Sequence, residues 1–571
     1  MISKGNMYDD FRRLVAIVAA SALVFLNILG SAAMADDTDS EDASAHLLQA
    51  EIALQHMDYL QATREYRMAA ELSNSVEIAR QATRVGESFG FNEEAVKSAK
   101  RWLELDKDSD EALFQIARLQ LRLGDIRAAR RSYKKLIERG ETPPENRLLS
   151  LVSVLGDEDA EAANKVMWAL AKPYKDSPDA HYAAAVTAMQ AGDIDGAKQR
   201  TLRVLELEPG EWLHMKAKLL YGRILLLSGE QDEAIDYVAR IIGDNPQPDP
   251  TARMELALLL MTAGRDDDAL SQVNQILLEN SAHADALRLM AIINFRQENL
   301  DAAWEDFEDL LSSGQHTMDA LYYLARIADF RDESDRAIRL YSQVTEGPNA
   351  VAAQRRAAAL VAFEREAPNT AVEQLDEFAR DNPQYAIEIV QAKAQLLASL
   401  ERYDESLNYY DQLVEYRPDS EGISLGRAEL LLRMQRLDDA LLQYRKTVKR
   451  WPESATSLNA LGYTLADRTD NYREAERLIR KALKYDPESA AIIDSLGWVL
   501  HKRGRHEEAL TELTKAYSRL DDPEVAAHIV EVLAVLARKD EAMELLVAAE
   551  SKDPESPLLR DVRERVFPDL D

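Results

Sequence analysis

The string His506-Glu507-Glu508-Ala509-Leu510 comes nearest to a metal-binding motif in this chain. A zinc-protease helix carries His-Glu-x-x-His, which sets two imidazoles on one face with the glutamate as base. Leu510 stands where the second histidine would be, so one ligand is missing and the string reads as the opening of an amphipathic helix. The nine histidines are scattered without ligand spacing, and cysteine is absent, which excludes thiolate metal sites, disulfides and cysteine nucleophiles. Neither a Gly-rich phosphate loop nor a Gly-x-Ser-x-Gly elbow occurs. Carboxylates are so numerous that a pair chosen by type alone says nothing about acid–base work. The expectation is a chain that is not an enzyme and holds neither metal nor cofactor.

What remains is chemistry of binding. Arg473, Arg477, Arg480, Lys481, Lys484, Lys502, Arg503 and Arg505 gather in a short stretch of a chain whose formal net charge is -32. Such a group suits an acidic peptide or a partner's carboxylate held by charge-assisted bonds. The competing reading is a solvated helix face balanced by Glu474, Glu476, Glu507 and Glu508. Tyr463, Trp498, Tyr322 and Tyr323 are candidate aromatic anchors, and Trp498 serves equally as a packing residue. Asp494 and Ser495 read as capping or groove-lining residues rather than catalytic ones. The acidic field disfavours nucleic acid and anionic membrane surfaces, so the expected partners are other proteins.

These side chains sit on a repeat. Leu461-Gly462-Tyr463 is followed by Ala475, Ile479, Ala482 and Pro487, and Leu496-Gly497-Trp498 by Ala509, Leu513 and Ala516. The small residue recurs as Ala62, Ala95, Ala129, Ala163, Ala197, Ala234, Ala269, Ala303, Ala337, Ala371, Ser406, Ala440, Ala475, Ala509 and Ala542, a mean step of about 34 residues. Four residues later comes a large apolar or aromatic residue such as Tyr66, Tyr133, Phe307, Tyr341, Tyr410 or Tyr444, which falls on the same helix face. Proline lies twelve residues after the small one at Pro209, Pro246, Pro383, Pro418, Pro452, Pro487 and Pro554, where it ends the second helix. This pattern resembles the tetratricopeptide (TPR) repeat. The fold it implies is all-α: a helix-turn-helix solenoid of about fifteen repeats, wound as a right-handed superhelix with first helices lining a groove, and closed by a C-terminal capping helix.

At 571 residues the chain is too long for one compact core, and a repeat array escapes that limit because each unit packs only on its neighbours. The expected organisation is a signal peptide over 1–35, an acidic flexible N-terminus over 36–45, solenoid segments over 46–250 and 251–549, and a capping helix and tail over 550–571. Lys4, Arg12 and Arg13 precede an apolar run, and Ala33-Met34-Ala35 forms a small-x-small cleavage site. The apolar run also approaches spanning length, so a retained anchor competes with cleavage. The step from Ala197 to Ala234 is longer than the others, with the excess near Pro209-Gly210-Glu211-Trp212, as a hinge or a lengthened turn. The junctions at Pro143-Pro144 and Asp244–Pro250 read as loosened in the same way.

The export signal, the array and the block LNALGYTLADR to DDPEVAAHIVEVL together resemble the large envelope TPR proteins of Gram-negative bacteria, and among them the LbcA-type outer-membrane lipoproteins. That resemblance implies an adaptor that binds and activates a periplasmic carboxyl-terminal processing protease and presents cell-wall hydrolases to it. This chain departs from the family in having no lipobox cysteine. A periplasmic protein is therefore expected, peripheral at the outer membrane, with membrane association through a partner or an uncleaved signal. The alternative is a TPR assembly subunit for exopolysaccharide or outer-membrane export.

Overall fold

The computed structural model describes residues 38–140, 142–244 and 249–568, so the expected signal peptide lies outside the described residues. Among the described residues there are thirty-one α-helices, a 3-10 turn at Pro383–Tyr385 and no strand. The helices form fifteen antiparallel pairs, from Thr38–Gln55 with Tyr59–Leu72 to Pro523–Val535 with Lys539–Lys552, followed by a last helix, Pro557–Val566. This is an all-α TPR solenoid.

The period has its cause in the packing. Each of the fifteen small residues on the second helices is at most 1% exposed, because it lies where the paired helix crosses. Ser406, the one that is not alanine, satisfies its hydroxyl by donating to the Ala394 carbonyl at 2.6 Å. The aromatic residues four positions on, Tyr66, Tyr133, Phe307, Tyr341, Tyr410 and Tyr444, are all buried. Serine or aspartate caps open many of the helices; Ser109, Asp125, Asp193 and Ser454, for example, each accept a bond from a first-turn N–H. Between the helices of a pair the chain passes through the left-handed region, at Gly504 with φ +77° and, in other repeats, at Gln435 with φ +60° and Ala537 with φ +59°.

The chain divides into two compact units, Met1–Ala386 and Ile387–Asp571. In the first, the buried side chains fall into several separate clusters, and the turn Pro383–Tyr385 comes back against the helix Val76–Ser88. The second has one continuous core running from Ala428 to Phe567. There the first helices of neighbouring repeats, Ala455–Arg468, Ala490–Lys502 and Pro523–Val535, also touch one another, which makes their layer the tighter side of that unit.

Three local expectations are corrected. The extra residues after Ala197 form neither hinge nor long turn: they lengthen the next first helix, Glu211–Leu227, to 17 residues, and Trp212 stands on the added turn, 62% exposed. The first helix begins at Thr38, inside the stretch expected to be flexible, because pairing with Tyr59–Leu72 buries Ala43 and Ala50. The spacing of Leu558, Leu559, Val562 and Val566 predicts one apolar face on the last helix, where Leu559 and Val562 are buried but Leu558 is exposed. Pro246 lies outside the described residues.

Candidate protein-binding face

Glycine sets the spacing of the candidate face. A Cβ on Gly462 would lie 2.6 Å from Ile479 Cγ1, and one on Gly497 would lie 2.5 Å from Leu513 Cγ. With hydrogen in place of a methyl group, the first helix lies directly on the second. The large residue that follows each glycine, Tyr463 or Trp498, is thereby placed at the same station on successive first helices.

Trp498 is buried and tightly surrounded. Its indole stacks on His528, with ring centres 4.1 Å apart, and on His501 at 5.4 Å, while its Nε1–H donates to Asp467 at 3.3 Å. Lys502 Nζ lies 4.2 Å from the ring centre, a cation–π contact. His528 Nδ1 is 2.9 Å from Asp494 Oδ1, and both side chains are buried. Burial alone would push the His528 pKa down, but the bond to Asp494 and the charges of Asp494, Glu524 and Glu531 outweigh it, so the pKa is raised. His501 goes the other way: burial, His506, Lys502 and His528 push it down to about 4. Tyr463 donates its O–H to Glu524 at 2.6 Å, spanning two repeats. Burial and that carboxylate push the phenol far above its ordinary range.

The basic residues do not form one site. Arg473, Arg477, Arg480, Lys481 and Lys484 lie on the second helix Tyr472–Tyr485, in the opposite layer from Tyr463, Trp498 and Lys502. Arg503 and Arg505 occupy the turn between Ala490–Lys502 and His506–Arg519. Glu476, itself buried, draws in Arg480 at 2.7 Å, Arg505 at 3.1 Å and Arg503. Arg505 also pairs with Glu508, and Lys481 donates to the Pro452 carbonyl at 2.7 Å. Arg473, Arg477 and Lys484 stay exposed.

The residues that sequence reasoning missed are His501, His528, Asp467 and Glu524, which complete the inner cluster with Trp498 and Tyr463. The period carried the signal: Asp494 and His528 are 34 residues apart, one repeat, and the Asp467–Trp498 and Tyr463–Glu524 bonds span 31 and 61. Among the described residues no group of three or more His, Asp or Glu side chains is placed to hold a metal ion. No described helix is long and apolar enough to cross a membrane.

Helix pairs that recur about every 34 residues, each closed over a small residue at the crossing, define a solenoid of tetratricopeptide-type repeats, a fold used to bind other proteins. A family model described as tetratricopeptide repeat matches residues 182–250, 392–455, 425–470 and 460–525, and two others with the same description match 225–293 and 111–139. The chain is 28% identical over 493 residues to the TPR repeat-containing protein PA4667 of Pseudomonas aeruginosa, covering 86% of this chain and 82% of that one. It is also similar to solved structures of Naa15/Naa10 bound to HypK-THB, at 13% identity over 92% of this chain and 96% of that one, with a TM-score of 0.36. For yeast Tom70 the corresponding values are 17%, 91%, 98% and 0.32.

Proposed function

We propose that this protein is a non-catalytic scaffold of the bacterial envelope, an adaptor that binds and activates a carboxyl-terminal processing protease and presents cell-wall hydrolases to it. The observation that carries the binding role is the repetition of helix pairs, fifteen among the described residues, since stacked pairs of this kind present exposed helix faces on which a partner can be held. The envelope location rests on the apolar run and Ala33-Met34-Ala35. The protease rests on the likeness of the block from Leu458 to Leu533 to the adaptor family. An adaptor needs no reactive group of its own, since holding enzyme and substrate together raises their effective concentration.

The test is to express the full chain with a C-terminal affinity tag in the source bacterium, crosslink gently, and identify what co-purifies from the envelope. Recovery of a processing protease together with cell-wall hydrolases is the expected result. Recovery of an export barrel or a glycan synthase instead would overturn the protease reading and leave the scaffold an assembly subunit.

A further inference from the structure

The histidine of the string His506-Glu507-Glu508-Ala509-Leu510 does meet a second imidazole, though not at position 510. His506 opens the helix His506–Arg519, and its Nδ1 lies 3.2 Å from Nδ1 of His501 on the preceding helix Ala490–Lys502. The two rings meet at 65° with centres 4.8 Å apart, so they converge through their nitrogens instead of stacking. The left-handed Gly504 in the turn between the helices, with φ +77°, folds the second helix back so that this meeting occurs. On its other side His501 lies parallel to the indole of Trp498, at 3° and 5.4 Å, which fixes its ring. Both imidazoles are half-buried, so an ion can reach them from solvent.

Two ring nitrogens this far apart suit one metal ion. With zinc–nitrogen bonds of about 2.0–2.1 Å, the separation of 3.2 Å subtends an angle of about 100° at the metal, close to tetrahedral. Neighbouring ligands of a square-planar copper would stand about 2.8 Å apart, closer than these two nitrogens. Burial, His506, Lys502 and His528 push the His501 pKa down to about 4, so this ring is uncharged at neutral pH, the form that binds metal. The cations of the turn are already engaged: Arg503 and Arg505 pair with Glu476, Arg505 pairs also with Glu508, and Lys502 lies over Trp498.

We propose that His501 and His506 form a labile two-histidine site for a zinc ion at the turn between their helices, with water in the remaining positions. Structural and catalytic zinc sites draw on three or four protein ligands; two imidazoles hold an ion that exchanges with its surroundings. Without metal, one Nδ1–H donates to the other Nδ1. On binding, that proton moves to Nε2 of its own ring by exchange with water, so both Nδ1 lone pairs face the ion and no net proton is released. The bound ion ties the first helix of the repeat to the second beside Trp498. The inference stands apart from the identity of the protease and from the adaptor reading.

The experiment titrates zinc chloride into the full untagged chain, stripped of metal with EDTA and dialysed, and follows the heat of binding and the Tm. The expected result is a saturable site and a Tm that rises with free zinc. His501→Gln and His506→Gln each weaken binding by about tenfold or more, while His214→Gln, on the helix Glu211–Leu227, leaves it unchanged. The metal-free Tm of each variant separates lost ligation from lost folding. Zinc-induced shifts of the His501 and His506 ring-proton resonances in the wild type identify the ligands without any substitution. A wild type that takes up no zinc overturns the proposal. So does zinc binding that both variants retain at wild-type strength, since the ion then sits among carboxylates elsewhere.

Discussion

His501 and His528 stack against one indole, and their pKa values are shifted in opposite directions. The folded pKa of His501, down to about 4, lies below its unfolded value, so its contribution to stability is present above roughly pH 6.5 and is lost as the pH falls toward the folded value. The folded pKa of His528 is raised, so its contribution is present below roughly pH 6.5 and fades as the pH rises through the folded value. Burial, His506, Lys502 and His528 set the first shift, and in the second burial is outweighed by Asp494, Glu524 and Glu531. Replacing His501→Gln is expected to flatten the acid limb: the variant loses less thermal stability than wild type between about pH 7 and about pH 4.5. A steeper loss in the variant would contradict this account of the cluster. At this scale little was legible beforehand. Trp498 and Tyr463 stood out by type, but the indole's partners come from neighbouring repeats, and a composition of scattered histidines gives no hint that two of them flank one ring.

At the scale of the helix pair, small residues decide. Gly497 and Ala537 make the point from opposite sides. Alanine is the better helix former by about 1 kcal/mol, yet at Gly497 its methyl group would meet Leu513 Cδ2 at 2.8 Å and the Ala509 carbonyl at 3.2 Å. Gly497→Ala is therefore expected to destabilise the protein by roughly 1–3 kcal/mol through overpacking. Ala537, with φ +59°, already carries a Cβ in the left-handed turn, and Ala537→Gly is expected to stabilise by about 0.5–1 kcal/mol through relief of that strain. Both are read by chemical or thermal unfolding, and a stabilising Gly497→Ala would contradict the packing argument. This scale was the most legible in the sequence. All fifteen small residues found by period are buried at the crossings, because a helix pair can meet closely only where one side chain is small. The extra turn at Glu211–Leu227 was misplaced for a physical reason: an insertion shows in the spacing, but spacing does not say whether added residues go into a loop or a helix.

At the scale of the whole molecule there are two units of paired helices, the C-terminal one with a continuous core, on a chain of formal net charge -32. Its repeat number and its closing helix followed from periodicity and from the amphipathic Pro557–Val566. Which partner it holds did not, since binding faces of this kind have no fixed motif and depend on side chains brought together across repeats, such as Tyr463 with Glu524. The proposed role of the protein is to bring a protease and its substrates together. The measurement that tests it is the rate at which the co-purified processing protease cleaves a cell-wall hydrolase, with and without an equimolar amount of this protein. The account predicts little cleavage by the protease alone, a clear acceleration when the protein is added, and none from the protein without the protease. An unchanged rate in the presence of the protein, or hydrolysis by the protein alone, would contradict it.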